Sequence, residues 1–290
     1  MTHGRWRGRW RHAARLVTLL VPTLTNQIAW ADEACHYSGT TSYAGEVSVE
    51  TRATRTNGET TVDVAARVNA RTFGIVDWQY LYQEIGVWRD GELQTVGVNH
   101  RYSLAGSIRR QQWDVFRRTP EGMAAWRVQA KTLSDFREKH PGFVSHWDPA
   151  TFGQPWLEDY ASAPPERRAD LDLPKASMPP ELGTPLLMAF YWVRWTGQQQ
   201  RTVPLFLPGF KRDARVDVQV TPVGIEHDGS LHLRSSVRHP QLSETKASTG
   251  DAWISPDHHL VRVTFDARSE DASAQGELHL DRCQGEALTP

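Results

Sequence analysis

The chain has 290 residues, of which 39% are hydrophobic and 23% charged, with 33 Lys and Arg against 34 Asp and Glu. The five arginines of residues 1–31 stand apart from any acid, so the remainder carries 28 basic residues against 34 acidic. That balance argues against nucleic acid as a partner, because phosphate binding needs clustered positive charge.

Residues 1–31 read as a signal peptide. Arg5, Arg7, Arg9, Arg11 and Arg15 form a positive leading region, Leu16 to Val21 is apolar, and Ala29-Trp30-Ala31 offers small residues before Asp32. The apolar run is too short, and too interrupted by Pro22, Asn26 and Gln27, to cross a bilayer as a helix. No transmembrane segment is expected in the rest. Cleavage near Ala31 would leave 32–290 as a single β-rich domain, periplasmic or secreted.

Cys35 and Cys283 are the two cysteines of the chain. Export permits a disulfide, and two cysteines allow one intramolecular pairing. In the chain-entropy model so long a loop adds roughly 5 kcal/mol at most. The pair predicts that the first and last strands lie side by side, with a structural disulfide between them.

Tyr37 to Thr54 reads as one long strand. Asn57-Gly58 is a two-residue turn signal, and Thr60 to Phe73 alternates Val62, Val64, Ala66 and Val68 against polar neighbours. Trp78 to Arg89, the Asp90-Gly91 turn and Glu92 to Tyr102 form a hairpin. Gln111 to Arg118 and Met123 to Ala130 form another around Pro120-Glu121-Gly122. This order predicts an antiparallel meander.

From Leu133 to Pro180 the pattern breaks and prolines punctuate it, so 133–200 reads as a Pro-rich insertion. Short helices are expected near Ser134 to Lys139 and Pro164 to Asp170. Pro179 to Trp195 is the best helix candidate. Pro185 suits a first-turn position, and Leu186, Leu187, Ala189, Phe190, Val193 and Trp195 give it an apolar surface. Strands resume at Arg201 to Leu207, Ala214 to Glu226, Ser230 to Arg238, Asp251 to Ser255, Leu260 to Ala267 and Gln275 to Cys283. The expected fold is mainly β: a curved antiparallel sheet or partly open barrel of about ten strands, with a helical insertion on the concave face.

Three segments carry a resemblance: Tyr43-Ala44-Gly45-Glu46-Val47, Glu84 to Leu93 with Trp88 beside Asp90-Gly91, and Asp251 to Val263 with the strand Gly276 to Leu280. Together they resemble the uncharacterised exported β-domains of proteobacteria. Those domains are related in shape to the outer-membrane lipoprotein carrier and its half-barrel relatives. The resemblance implies a curved antiparallel sheet cupping an apolar cavity partly filled by helices, and no catalytic residue. The Pro-rich middle departs from the short connection expected of such domains.

Chemistry is sparse. No histidine falls in a ligand pattern with cysteine or a helix-spaced partner, the adjacent His258-His259 would point to opposite faces of a strand, and no metal or cofactor is expected. No Gly-x-Ser-x-Gly elbow or phosphate-cradling glycine loop is present. Glu158-Asp159 and Glu270-Asp271 read as solvated loop acids. The aromatics carry more weight, since nine tryptophans follow the leader. Trp147, Trp156, Phe190, Trp192 and Trp195 either fill the core or line a ligand cavity under a Pro-rich lid, and the two sets can overlap. The first expectation is a non-enzymatic binding or carrier module for a hydrophobic, lipid-like ligand. The alternative is an envelope-assembly component with an envelope protein partner. A hydrolase ranks third.

Overall fold

In the computed structural model, which describes residues 32–42, 45–72, 76–119, 122–130, 184–195, 197–207, 214–237, 247–268 and 273–289, the turn signals close hairpins. Asn57 and Gly58 have φ of 51° and 80°, and Asp90 and Gly91 have 53° and 77°. Two positive φ values in a two-residue loop match the right-handed twist of the strands it joins. Ala105-Gly106 makes the same turn without Asn or Asp, with φ of 48° and 76°.

Thirteen strands stand among the described residues. The first seven are β1 (Glu33–Thr41), β2 (Gly45–Thr56), β3 (Glu59–Thr72), β4 (Val76–Arg89), β5 (Glu92–Leu104), β6 (Ser107–Thr119) and β7 (Gly122–Ala130). The remaining six are β8 (Arg201–Leu207), β9 (Ala214–Ile225), β10 (Leu231–Val237), β11 (Ser248–Ile254), β12 (Leu260–Arg268) and β13 (Ser273–Gly285). Helix α1 (Pro185–Phe190) and a 3-10 turn (Trp192–Trp195) precede β8. The strands form one open antiparallel sheet in the order β7-β6-β5-β4-β3-β2-β1-β13-β12-β11-β10-β9-β8. Two meanders therefore meet where β1 pairs with β13, in the middle of the sheet.

The sheet curls. Phe116 on β6 and Phe206 on β8 lie near opposite ends of the strand order, yet their rings meet edge-on at 4.9 Å. Helix α1 touches β3, β4 and β8 at once. A sheet that brings an end strand and two strands of its other half onto one short helix is a partly open barrel with the helix on its concave face. Leu187, Met188 and Phe190 are buried there. Each contributes about 1.5–3 kcal/mol by leaving water. Gly86 on β4 permits the close approach, because a Cβ there would lie 2.4 Å from the Trp88 ring and 2.8 Å from Leu187 Cδ1.

Three expectations are corrected. The strand expected over Tyr37 to Thr54 is two antiparallel strands, β1 and β2, with Gly45 at φ 71° opening the second. This split helps to raise the count from about ten strands to thirteen. The helix expected over Pro179 to Trp195 is α-helical from Pro185 to Phe190 alone. It then breaks at Tyr191 (φ −127°, ψ −66°) into the 3-10 turn. The run Phe190-Tyr191-Trp192-Val193 is aromatic and β-branched, a poor continuation of an α-helix. Residues 179–183 and the helices expected near 134–139 and 164–170 lie outside the described residues.

Candidate functional site

On β9 the buried Val216, Val218 and Val220 alternate with the exposed Asp217 and Gln219. The same period places Leu205, Leu233, Ala252 and Val263 of the neighbouring strands on the inner face. Between this face and Pro185, Met188, Ala189 and Val193 lies a cavity of about 260 Å³. Its polar lining consists of Ser235, Ser236, Ser248, Thr249, Asp251 and Thr264. The rest is aliphatic, backbone glycine or Phe265, so the space favours hydrocarbon over water.

A second cavity of about 700 Å³ shares Met188 with the first. Trp88, Leu93, Leu187 and Trp192 give it an apolar side, and Glu92, Arg118 and Arg201 a charged one. Arg118 donates to the Leu93 carbonyl at 3.0 Å and pairs with Glu92 at 3.6 Å.

The aromatics singled out in the sequence separate. Trp192 lines the larger cavity. Phe190 is buried with its ring edge-on to Tyr37 at 5.2 Å. Trp195 stacks on His258 at 4.5 Å. Phe190 and Trp195 line neither of these two cavities. Trp147 and Trp156 lie outside the described residues.

The inner face of β4 to β6 is different. Tyr82, Glu84, Val98, His100, Gln112 and Asp114 share it by strand register. Glu84, His100, Gln112 and Asp114 are all buried. Glu84 accepts the Leu187 N–H at 2.8 Å, so a β4 carboxylate caps the start of α1. Burial raises Glu84 from its ordinary 4.5 to about 7, against the lowering effect of its bonds to Thr184, Tyr82 and the helix backbone. His100 Nδ1 bonds the Tyr80 hydroxyl at 2.7 Å, and Gln112 donates to Asp114 at 2.8 Å.

A third cluster sits on the seam. Cys35 and Cys283 face each other in the β1–β13 register, 4.1 Å apart at Cα, and are joined as a disulfide. His259 Nδ1 lies 3.4 Å from Cys283 Sγ, and Glu33 Oε1 lies 3.6 Å from Cys35 Sγ. Glu33 forms a buried ion pair with Arg194, whose Nη2 donates to Oε2 at 3.0 Å. The Leu288 N–H also donates to Oε2 at 3.0 Å. Sequence reading missed Arg194, an arginine inside an apolar stretch. Its one available signal was that such a charge, once buried, must find a carboxylate.

No protein-family model and no curated protein sequence matches the chain. Among solved structures, the chain is similar to a beta-barrel-like protein of domain of unknown function DUF1849 from Brucella abortus. The identity is 9%, the TM-score 0.47, and the match covers 87% of this chain and 96% of that one. It is also similar to a predicted lipoprotein from Parabacteroides distasonis, with 12% identity, a TM-score of 0.28 and coverage of 87% and 94%. At these values neither likeness carries an argument about function.

Proposed function

We propose that this is an exported, non-enzymatic binding or carrier module for a hydrophobic ligand such as a lipid acyl chain. The observation that carries the reading is the cavity of about 260 Å³ between α1 and the aliphatic inner face of β8 to β12. It exceeds the roughly 150 Å³ that holds one benzene. It falls just below the range of about 300–1,000 Å³ usual for drug-sized ligands. A stretch of hydrocarbon suits that size and lining. Capture would gain about 25 cal/mol for each Å² of apolar surface taken from water. The Cys35–Cys283 disulfide supports an oxidising compartment, hence export.

Native mass spectrometry of protein purified from its own envelope tests the reading. A co-purifying apolar mass is expected, and Ala252→Phe, which grows a ring into the cavity, removes it while the fold persists. Absence of any such mass, together with uptake of an apolar fluorescent probe that Ala252→Phe leaves unchanged, overturns it.

A further inference from the structure

We propose that Cys35, Cys283, His259 and Glu33 form, once the Cys35–Cys283 bond is reduced, a four-ligand site for one zinc-class divalent cation. The seam would then hold either a disulfide or a metal. This goes beyond ligand carriage and does not depend on it.

Four ligand atoms already stand close together. One Sγ from each cysteine, Nδ1 of His259 and Oε1 of Glu33 lie within 4.8 Å of one another. With bonds of about 2.0–2.3 Å to a central ion, ligand atoms are separated by about 3.3–3.8 Å along each edge. Three edges already have that length: His259 to Cys283 at 3.4 Å, Glu33 to Cys35 at 3.6 Å and His259 to Glu33 at 3.5 Å. Of the six edges, a fourth is the disulfide itself, which must open for the ion to enter, and the other two, His259 to Cys35 and Glu33 to Cys283, lie within 4.8 Å. Two thiolates with an imidazole favour zinc over calcium or magnesium.

The surroundings support the ligands. Arg194 holds both Glu33 oxygens, Nη1 donating to Oε1 and Nη2 to Oε2, and the Leu288 N–H also donates to Oε2, so Oε1 would ligate through its second lone pair. On its far side, His259 Nε2 lies 3.8 Å from the exposed Asp257 carboxylate, near but beyond hydrogen-bond length. The turn is fixed as well, since Ser255 Oγ donates to the His259 carbonyl at 3.0 Å and accepts the His259 N–H at 3.1 Å. A dication with two thiolates and one carboxylate carries one net negative charge. The buried Arg194 guanidinium balances it.

The chemistry closes. A dithiol reductant gives two electrons and two protons to the Cys35–Cys283 bond and becomes a disulfide, leaving two thiols. Binding the cation then releases those two protons as the sulfurs become thiolates.

The test uses residues 32–290 reduced anaerobically with a trialkylphosphine, which leaves as its oxide and does not compete for metal as a dithiol would. Zinc is titrated against a chromophoric chelator. Cobalt(II) serves as a spectroscopic probe of tetrahedral thiolate ligation. The reduced protein is expected to take up a single equivalent with thiolate-to-cobalt charge transfer, and the oxidised protein none. His259→Ala, whose fold is checked in the oxidised form, is expected to bind at least tenfold more weakly. If reduction loosens the fold, zinc is expected to restore its β circular dichroism. The proposal is overturned by absence of stoichiometric uptake in the reduced protein, by equal uptake in the oxidised one, or by His259→Ala binding as wild type does.

Discussion

The two meanders that meet at β1 and β13 bury different chemistry on their inner faces. From β4 to β6 that face carries Glu84, His100, Gln112 and Asp114, all buried, among Val96, Val98 and Phe116, and Glu84 caps α1. From β8 to β12 it carries aliphatic side chains around a cavity. Both faces belong to one sheet with one alternation of strands, so the difference lies in side chains and not in architecture. Buried polar groups hold a neighbour through directed bonds and fix its position. Aliphatic walls hold it without direction and leave room. The first half anchors the helix, and the second half leaves space beneath it.

The seam between the halves carries the largest expected effect. Arg194→Met leaves Glu33 charged and buried without its partner, at an expected cost of about 3–5 kcal/mol in urea denaturation. Adding Glu33→Leu restores much of it, because two apolar groups replace the pair. Equal losses in the single and double variants would show that packing of the long side chain, not charge, joins the halves.

Anchoring by Glu84 gives a pH dependence. Its carboxyl is raised from 4.5 to about 7 in the folded chain. The unfolded chain releases that proton at lower pH, so the stability linked to it is fully present below about 4.5 and is lost as pH rises through about 7. Glu84→Gln keeps an acceptor for the Leu187 N–H and flattens this fall. The flattening is on the order of a few kcal/mol between pH 4 and 8, read from denaturant midpoints at each pH. A wild-type profile identical to that of Glu84→Gln would remove the pH role from the first half.

The smallest effect tests the contrast directly with one substitution in each half. Ala53 is buried on β2, and Ala53→Phe forces its packed neighbours apart, costing about 1–3 kcal/mol. Ala252→Phe grows into the cavity and costs under about 1 kcal/mol. Similar losses at both positions would show that the second half is as tightly filled as the first.

Much of the fold was legible. Asn57-Gly58 and Asp90-Gly91 marked hairpins because a two-residue turn needs positive φ, and the period of two marked β3 and β9. Ala105-Gly106 escaped notice because alanine seldom adopts φ of 48°. The helix was overextended because a continuous apolar run does not say where an α-helix tightens into a 3-10 turn. The candidate sites were less legible. The aromatics drew attention by size, yet the smaller cavity is walled largely by valine, leucine and alanine. Those residues look alike in sequence whether they face a neighbour or a space.

The sequence by itself determined the alternation, the turns and the presence of two cysteines that can pair, because these follow from backbone sterics and covalent chemistry. The cysteine pair also set the first and last strands side by side, and only the tertiary structure decided that this seam falls mid-sheet and which strands α1 touches. It alone brought Glu33, Arg194 and His259 around Cys35 and Cys283. Contacts such as Glu33 to Arg194, 161 positions apart, depend on strand order, which no local pattern encodes.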